Sequence, residues 1–258
     1  MPENTKMVKQ ESGELMERPD YIPQDSRGTE HLTKDDIQIP RIGLAQGLSP
    51  QIQEGDPKFI PGLKMGDMFN SLTGFNFKRG PIEFTIVRAD PPRGVEFFPL
   101  DAGGGVKDFD VPLNDPRMQF TTTEDGKRKK PQATKFYDYI LLLIPSGEMI
   151  ALSLKGTGLK VAKSLNALMK LRGAPIFTGK YVLTSALEKK DKYTYGVYRV
   201  QNAEDRWVTR DMMIYAETIF NNIKDREIIV ERETVEGEIV EDDAGDVDED
   251  GLPNKPPF

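Results

Sequence analysis

Cysteine is absent from the 258 residues, which excludes disulfides, thiolate metal sites and cysteine nucleophiles. Histidine is almost absent. His31 is the only one, in a polar N-terminal stretch, so histidine-based acid–base catalysis and histidine-rich metal sites are excluded as well. No apolar run reaches the roughly 20 residues of a membrane-spanning helix, and the N-terminus has no apolar signal segment. A soluble cytoplasmic protein without membrane contact or cofactor is the expectation.

The charge is plentiful and unevenly placed. The net charge is −7, yet residues 231–258 hold eleven acids against Arg232 and Lys255, and residues 1–36 hold nine acids against five bases. The middle, residues 37–230, therefore carries 28 bases against 22 acids. A basic body between acidic ends implies partners of negative charge for the body and of positive charge for the tail.

Residues 136–200 organise the chain. Phe136-Tyr137-Asp138-Tyr139-Ile140-Leu141-Leu142-Leu143-Ile144 is rich in strand formers, and Pro145-Ser146-Gly147-Glu148 supplies a turn to a second apolar run at 149–154. Leu159, Ala162, Leu165, Leu168, Met169 and Leu171 then recur at helical spacing, and Gly173 stops the helix. Two strands follow, 180–187 and 193–200, joined by Glu188-Lys189-Lys190-Asp191-Lys192. Hairpin, helix, hairpin predicts a mainly β fold with α: an OB-type barrel core with a helix between hairpins. A ferredoxin-like sandwich is the other arrangement that the pattern admits.

Around this core, residues 1–36 are polar and without periodicity, and predict a flexible arm. The domain spans 37–230. It opens with a short edge strand at 37–42, and the Gly- and Pro-rich stretch 43–74 predicts turns, anchored by Phe59, Leu63, Met65, Met68 and Phe69. A strand at 82–89 and its hairpin partner at 95–100 flank Asp90-Pro91-Pro92-Arg93-Gly94. Residues 101–131 form a long excursion that carries Lys127-Arg128-Lys129-Lys130. A C-terminal helix over 207–224 presents Met212, Tyr215, Ala216, Ile219 and Phe220 on one face, and 231–258 predict a disordered acidic tail.

Single-stranded nucleic acid binds where a positive channel follows phosphates and exposed rings stack on bases. Candidate DNA-binding residues are Tyr137 and Tyr139 on the first core strand, with Lys189, Lys190, Lys192, Tyr193, Tyr195 and Arg199 around the last hairpin. Lys127, Arg128, Lys129 and Lys130 could close over the strand. Tyr193 and Tyr195 share a face by alternation, whereas Tyr198 falls on the other unless Gly196 makes a bulge. Core packing is the competing role for each ring. No catalytic residue is expected. Gly156-Thr157-Gly158 lacks Walker spacing, and a metal-dependent nuclease, in which Asp108 and Asp110 would hold Mg²⁺, is an alternative reading. Asp246 to Gly251 reads as half of an EF-hand loop, but Pro257 stands where the bidentate Glu belongs.

The chain ends Gly251-Leu252-Pro253-Asn254-Lys255-Pro256-Pro257-Phe258 after an acidic run. A terminal Phe offers a ring for an apolar pocket and a carboxylate for an Arg, with acids in front to steer it. This ending resembles the tail of bacterial single-stranded DNA-binding proteins and of their tailed-phage analogues. It departs from the bacterial pattern at Asn254-Lys255. Gly156 to Ser164 with the following hairpin resembles phage single-stranded DNA-binding proteins of OB type. The resemblance implies a protein that binds single-stranded DNA in replication, recombination or repair in the host cytoplasm. It also implies that Asp248, Glu249, Asp250, Pro256, Pro257 and Phe258 recruit replication or recombination proteins. An accessory protein that docks by its tail without binding DNA is the alternative reading; a homo-oligomer is compatible with either.

Overall fold

A computed structural model describes residues 39–99, 104–122 and 126–224. Three short strands come first, β1 (Ile42–Leu44), β2 (Met68–Asn70) and β3 (Asn76–Lys78). Then follow β4 (Ile82–Ala89), β5 (Arg93–Phe97), β6 (Val106–Val111), β7 (Thr121–Thr122), β8 (Arg128–Lys129), β9 (Ala133–Ile144) and β10 (Met149–Leu154). Helix α1 (Gly158–Arg172), the hairpin β11 (Gly179–Lys190) and β12 (Tyr193–Trp207), and helix α2 (Arg210–Ile223) complete the order. The fold is mainly β with two helices among the described residues, with one helix between hairpins and one after them. The arm, the acidic run and the Pro-Pro-Phe ending lie outside the described residues.

The run Ile140-Leu141-Leu142-Leu143 is continuous because β9 is covered on both faces. Leu141 and Leu143 point into the main core with Phe84, Ile86, Leu152, Leu154 and, from α1, Ala162 and Leu165. Ile140 and Leu142 point the other way, to Val87, Phe177 and Ala216 of α2. Each fully buried side chain of this kind stabilises by about 1.5–3 kcal/mol. Truncation of Leu141 to Ala would cost about 2–5 kcal/mol, transfer and cavity together.

The main sheet runs β12-β11-β4-β9-β5-β6, with β10 also on β9, and its pairs are antiparallel. The expected hairpin around Pro91-Pro92 is not formed. Ala89 pairs with Tyr139, Asp90 N–H donates to Asp138 O, and Arg93 pairs with Phe136, so β4 and β5 continue along the same partner. Proline has no N–H, so the two prolines interrupt the ladder locally without reversing the chain. No closed barrel forms among the described residues, because β10 and β12 do not pair. Residues 40–46 touch both of those strands. Ala151 N–H donates to Pro40 O (2.8 Å), and the Tyr198 hydroxyl donates to Ile42 O (3.0 Å).

The Gly- and Pro-rich stretch is turn-rich, as expected, and it also contributes β2. Ala45, Leu63 and Phe69 make a small core there, and Met68 enters the main one. Helix α1 ends at Gly173, in the left-handed region at φ +66°. Leu171 lies about 120° round from Leu165 at 3.6 residues per turn and is 85 % exposed, not on the buried face. Trp207 belongs to the end of β12, not to the last helix. The Thr209 side chain accepts from Met212 N–H and caps α2, whose Met212 and Ala216 are buried while Tyr215 is exposed.

Candidate nucleic-acid interface

The hairpin β11–β12 is longer than the sheet that supports it. On its far side β4 pairs with β11 only from Tyr181 to Leu183, whereas β12 pairs with β11 as far as Lys190 opposite Tyr193. The connection is Asp191-Lys192, with Asp191 at φ +53°, a conformation that Asp tolerates better than most residues. The base of the projecting part is fixed from one side. Ser185 N–H donates to Arg79 O (3.1 Å) and its hydroxyl to Gly66 O. Gly196 packs close to Gly66, and a Cβ at 196 would stand 3.2 Å from the Gly66 Cα. Beyond that contact, residues 187–194 are exposed.

The register through Gly196 is continuous, so no bulge intervenes and the alternation holds. Tyr193 and Tyr195 lie on one face, and Tyr198 lies on the other, packed against the main core. Tyr193 is 42 % exposed, opposite Lys190, and the Lys192 ammonium sits 5.1 Å from its ring centroid. Tyr195 is half-buried opposite Glu188. Burial first, and then the Glu188 charge, raise its phenol above the ordinary value. Arg199 pairs with Glu188 at 3.4 Å. Lys189 projects from the opposite face, across from Thr194. The hairpin therefore carries Lys189, Lys190, Lys192, Tyr193, Tyr195 and Arg199, with the exposed Tyr193 ring beside Lys190 and Lys192 and with Lys189 on the other face.

The other candidates are elsewhere. Tyr139 is buried (1 % exposed), and its hydroxyl donates to Asn166 Oδ1 at 2.9 Å. It is a core residue and cannot stack on a base. Desolvation raises its phenol above the ordinary range. Tyr137 points the same way along β9, half-buried against the main core, with the Lys135 ammonium 5.3 Å from its ring. Lys127, Arg128, Lys129 and Lys130 are exposed around β8, which pairs only with β7. The Arg128 guanidinium covers the Phe120 ring at 3.9 Å. These residues follow β6, at the opposite end of the strand order from β12, so the structure does not join the two basic clusters.

Asp108 is engaged in an ion-pair network. Arg117 donates to Asp108 (3.0 Å), Asp115 (2.9 Å) and the buried Glu96 (2.7 Å), and Lys107 donates to Glu96 (2.6 Å). The Asp110 N–H and then Arg117 hold Asp108 below the usual carboxylate range. Asp110 itself faces Arg93 at 3.9 Å. The arrangement ties the long excursion to β5 and leaves the two aspartates facing arginines.

Sequence reasoning missed two cation–aromatic clusters. On β5, β9 and the end of β10, Arg93 and Lys155 lie 5.6 Å from the Phe136 ring, and Lys155 is 5.6 Å from Phe97 as well. Strand pairing across Pro91-Pro92 creates that cluster, and no local signal marks it. At the other end of the sheet, Arg172 lies between Tyr181 and Trp207. Gly179 was the available signal there, since a Cβ at that position would meet the Arg172 Cζ at 2.6 Å.

No helix among the described residues is long and apolar enough to cross a membrane. A family model described as Pam3 phage gp34-like protein matches residues 9–229. No curated protein and no solved structure matches the chain.

Proposed function

Since the chain belongs to the Pam3 phage gp34-like protein family, we propose that it acts in the phage cycle as a single-stranded DNA-binding protein. It would bind and protect single strands during replication, recombination or repair in the host cytoplasm. The observation that carries this reading is the projecting β11–β12 hairpin, with the exposed Tyr193 ring beside Lys190 and Lys192 and with Lys189 on the other face of the tip. Bases stack on Tyr193 and phosphates are neutralised by the lysines, a combination that tolerates any sequence.

The pairing order adds support. A long bent strand (β4 and β5) pairs with β9, β9 with β10, and after α1 the hairpin returns to β4. An OB-type core left open between its third and fifth strands would pair in this order, and that agreement is what supports the OB reading. The tail, with Asp248, Glu249, Asp250, Pro256, Pro257 and Phe258, recruits replication or recombination proteins in this proposal. Anisotropy of a labelled dT oligonucleotide and of a labelled duplex tests the DNA reading. Tight single-strand binding supports it, and absence of binding favours a docking accessory that leaves DNA to others.

A further inference from the structure

Where β10 and β12 fail to pair, the structure leaves a cleft of about 550 Å³. Sites for small molecules run from about 300 to 1,000 Å³. The walls are β1 with the preceding Arg41, the stretches 49–51, 57–60 and 71–74, the end of β10 with the residues leading into α1, and Gly196 to Tyr198. A Cβ at Gly43 would stand 2.4 Å from the Phe69 ring, so glycine is required for that ring to sit in the wall.

The lining is one-signed. Arg41, Lys58 and Lys155 line the cleft and, among the described residues, no carboxylate does, although the body as a whole holds 22 acids against 28 bases. Asp56 and Asp138 bond to lining residues without entering the cleft. Asp56 accepts from the Lys58 N–H (2.8 Å), and Asp138 accepts from Arg93 (2.8 Å) and from the Ser153 hydroxyl (2.6 Å). The Lys155 ammonium also stands 5.6 Å from the Phe97 and Phe136 rings, which leaves Arg41 and Lys58 as the cations for a ligand. Arg41 is held in place through its backbone. Its N–H donates to Ser71 Oγ (2.8 Å), its carbonyl accepts from the Ser71 N–H (2.9 Å), and it bridges to Ala151. A guanidinium so anchored suits the oxygens of a phosphate. Leu44, Phe59 and Ile60, each partly exposed, add apolar surface to the same cleft. A bare anion would need neither that surface nor that volume.

We infer that the cleft binds a nucleoside phosphate, with the phosphate on Arg41 and Lys58 and the nucleoside against Phe59 and Ile60. The site is separate from the hairpin tip, since Gly196 lies three residues, about 10 Å, along β12 from Tyr193. The nucleotide is a free one or one unit of a bound strand.

Calorimetry on the full-length protein tests this with dTMP, with thymidine, and with a dT oligonucleotide in the absence and presence of saturating dTMP. The nucleotide should bind, and thymidine should bind at least about tenfold more weakly, because the charged contacts are to phosphate. Lys58→Glu, at an exposed position, should weaken dTMP about tenfold, and Arg41→Gln should do as much. Should Arg41→Gln fail to fold, the Lys58 variant and the thymidine comparison decide. Oligonucleotide binding weakened by dTMP assigns the site to a unit of the strand, and unchanged binding assigns it to a free nucleotide; either supports the cleft. Equal affinity for dTMP and thymidine, dTMP affinity unchanged in the folded variants, or no dTMP binding while the oligonucleotide binds would overturn the cleft and leave the hairpin reading intact. Binding of dTMP without binding of the oligonucleotide would uphold the cleft and overturn the single-strand reading.

Discussion

Gln46 clamps Gly196: its side-chain amide donates to the Gly196 carbonyl at 3.1 Å and accepts from the Gly196 N–H at 2.9 Å. The two residues are 150 positions apart, and the contact imitates a step of a β-ladder at the edge of β12. It fixes the hairpin at the point where support from the sheet has ended.

Gln46→Ala is therefore expected to loosen the hairpin without unfolding the core. Two hydrogen bonds at about 0.5–1.5 kcal/mol each set the scale of the local loss. Hydrogen exchange should quicken at Gly196 and its neighbours, while the amides of β9 keep their protection. Equal acceleration in both places would show that the clamp supports the whole fold.

The tyrosines divide into two classes that substitution can separate. Tyr193→Ala should leave the melting temperature near wild type and cost about 1–3 kcal/mol in single-strand affinity. Tyr139→Ala should instead lose about 3–5 kcal/mol of stability, as for other large buried rings. Tyr195 is intermediate in burial and should show some of each effect. A folded Tyr193→Ala variant with full affinity would remove that ring from the interface.

Acid should weaken the network around Arg117. Lys107 first and Arg117 next depress the Glu96 carboxyl, and Arg117 depresses Asp115. A carboxyl held below its unfolded value contributes stability above that value, about 4.5 for Glu and 3.8 for Asp, and loses it as pH falls through the folded one. Arg117→Gln should accordingly lower the melting temperature at pH 7, with the gap to wild type narrowing toward pH 3. A gap of constant size would mean that Arg117 acts by packing alone.

The 136–154 hairpin, α1 and the pairing of 180–187 with 193–200 were legible because they depend on local spacing and turn chemistry, although the turn expected over Glu188 to Lys192 shortens to Asp191-Lys192 as the ladder continues to Lys190 opposite Tyr193. The alternation that puts Tyr193 and Tyr195 on one face was also readable, since the register runs through Gly196 unbroken. Core packing was the competing role for Tyr137 and Tyr139, and sequence could not separate them: both lie on one face of β9, and only the placement of α1, whose Asn166 accepts from the Tyr139 hydroxyl, buries Tyr139 and leaves Tyr137 half-buried. Pro91-Pro92 looks like a turn in sequence, and only pairing with β9 shows that it interrupts one long strand. Trp207 sits three residues before α2 and reads as helix until its pairing with Gly179 is known. Lys127 to Lys130 look like part of the groove in one dimension, and the strand order separates them from it.

The tail makes a prediction of its own. Eleven acids beyond residue 230 are tethered to a basic body, so they act at high effective concentration. Deletion of residues 231–258 should tighten single-strand binding, most clearly at low salt, where screening is weakest. Removal of Phe258 alone leaves every acid in place and should change DNA affinity little while partner capture fails. Weaker DNA binding after the larger deletion would make the tail part of the site.

Competition measures the preference for single strands most directly. A preformed complex with labelled dT oligonucleotide is challenged with unlabelled single strand or unlabelled duplex over a range of salt. Single strand should displace the label at much lower concentration than duplex, and the complex should weaken steadily as salt rises, because phosphate contacts release counterions. Equal displacement by duplex, or no complex to displace at low salt, would contradict single-stranded DNA binding by this protein.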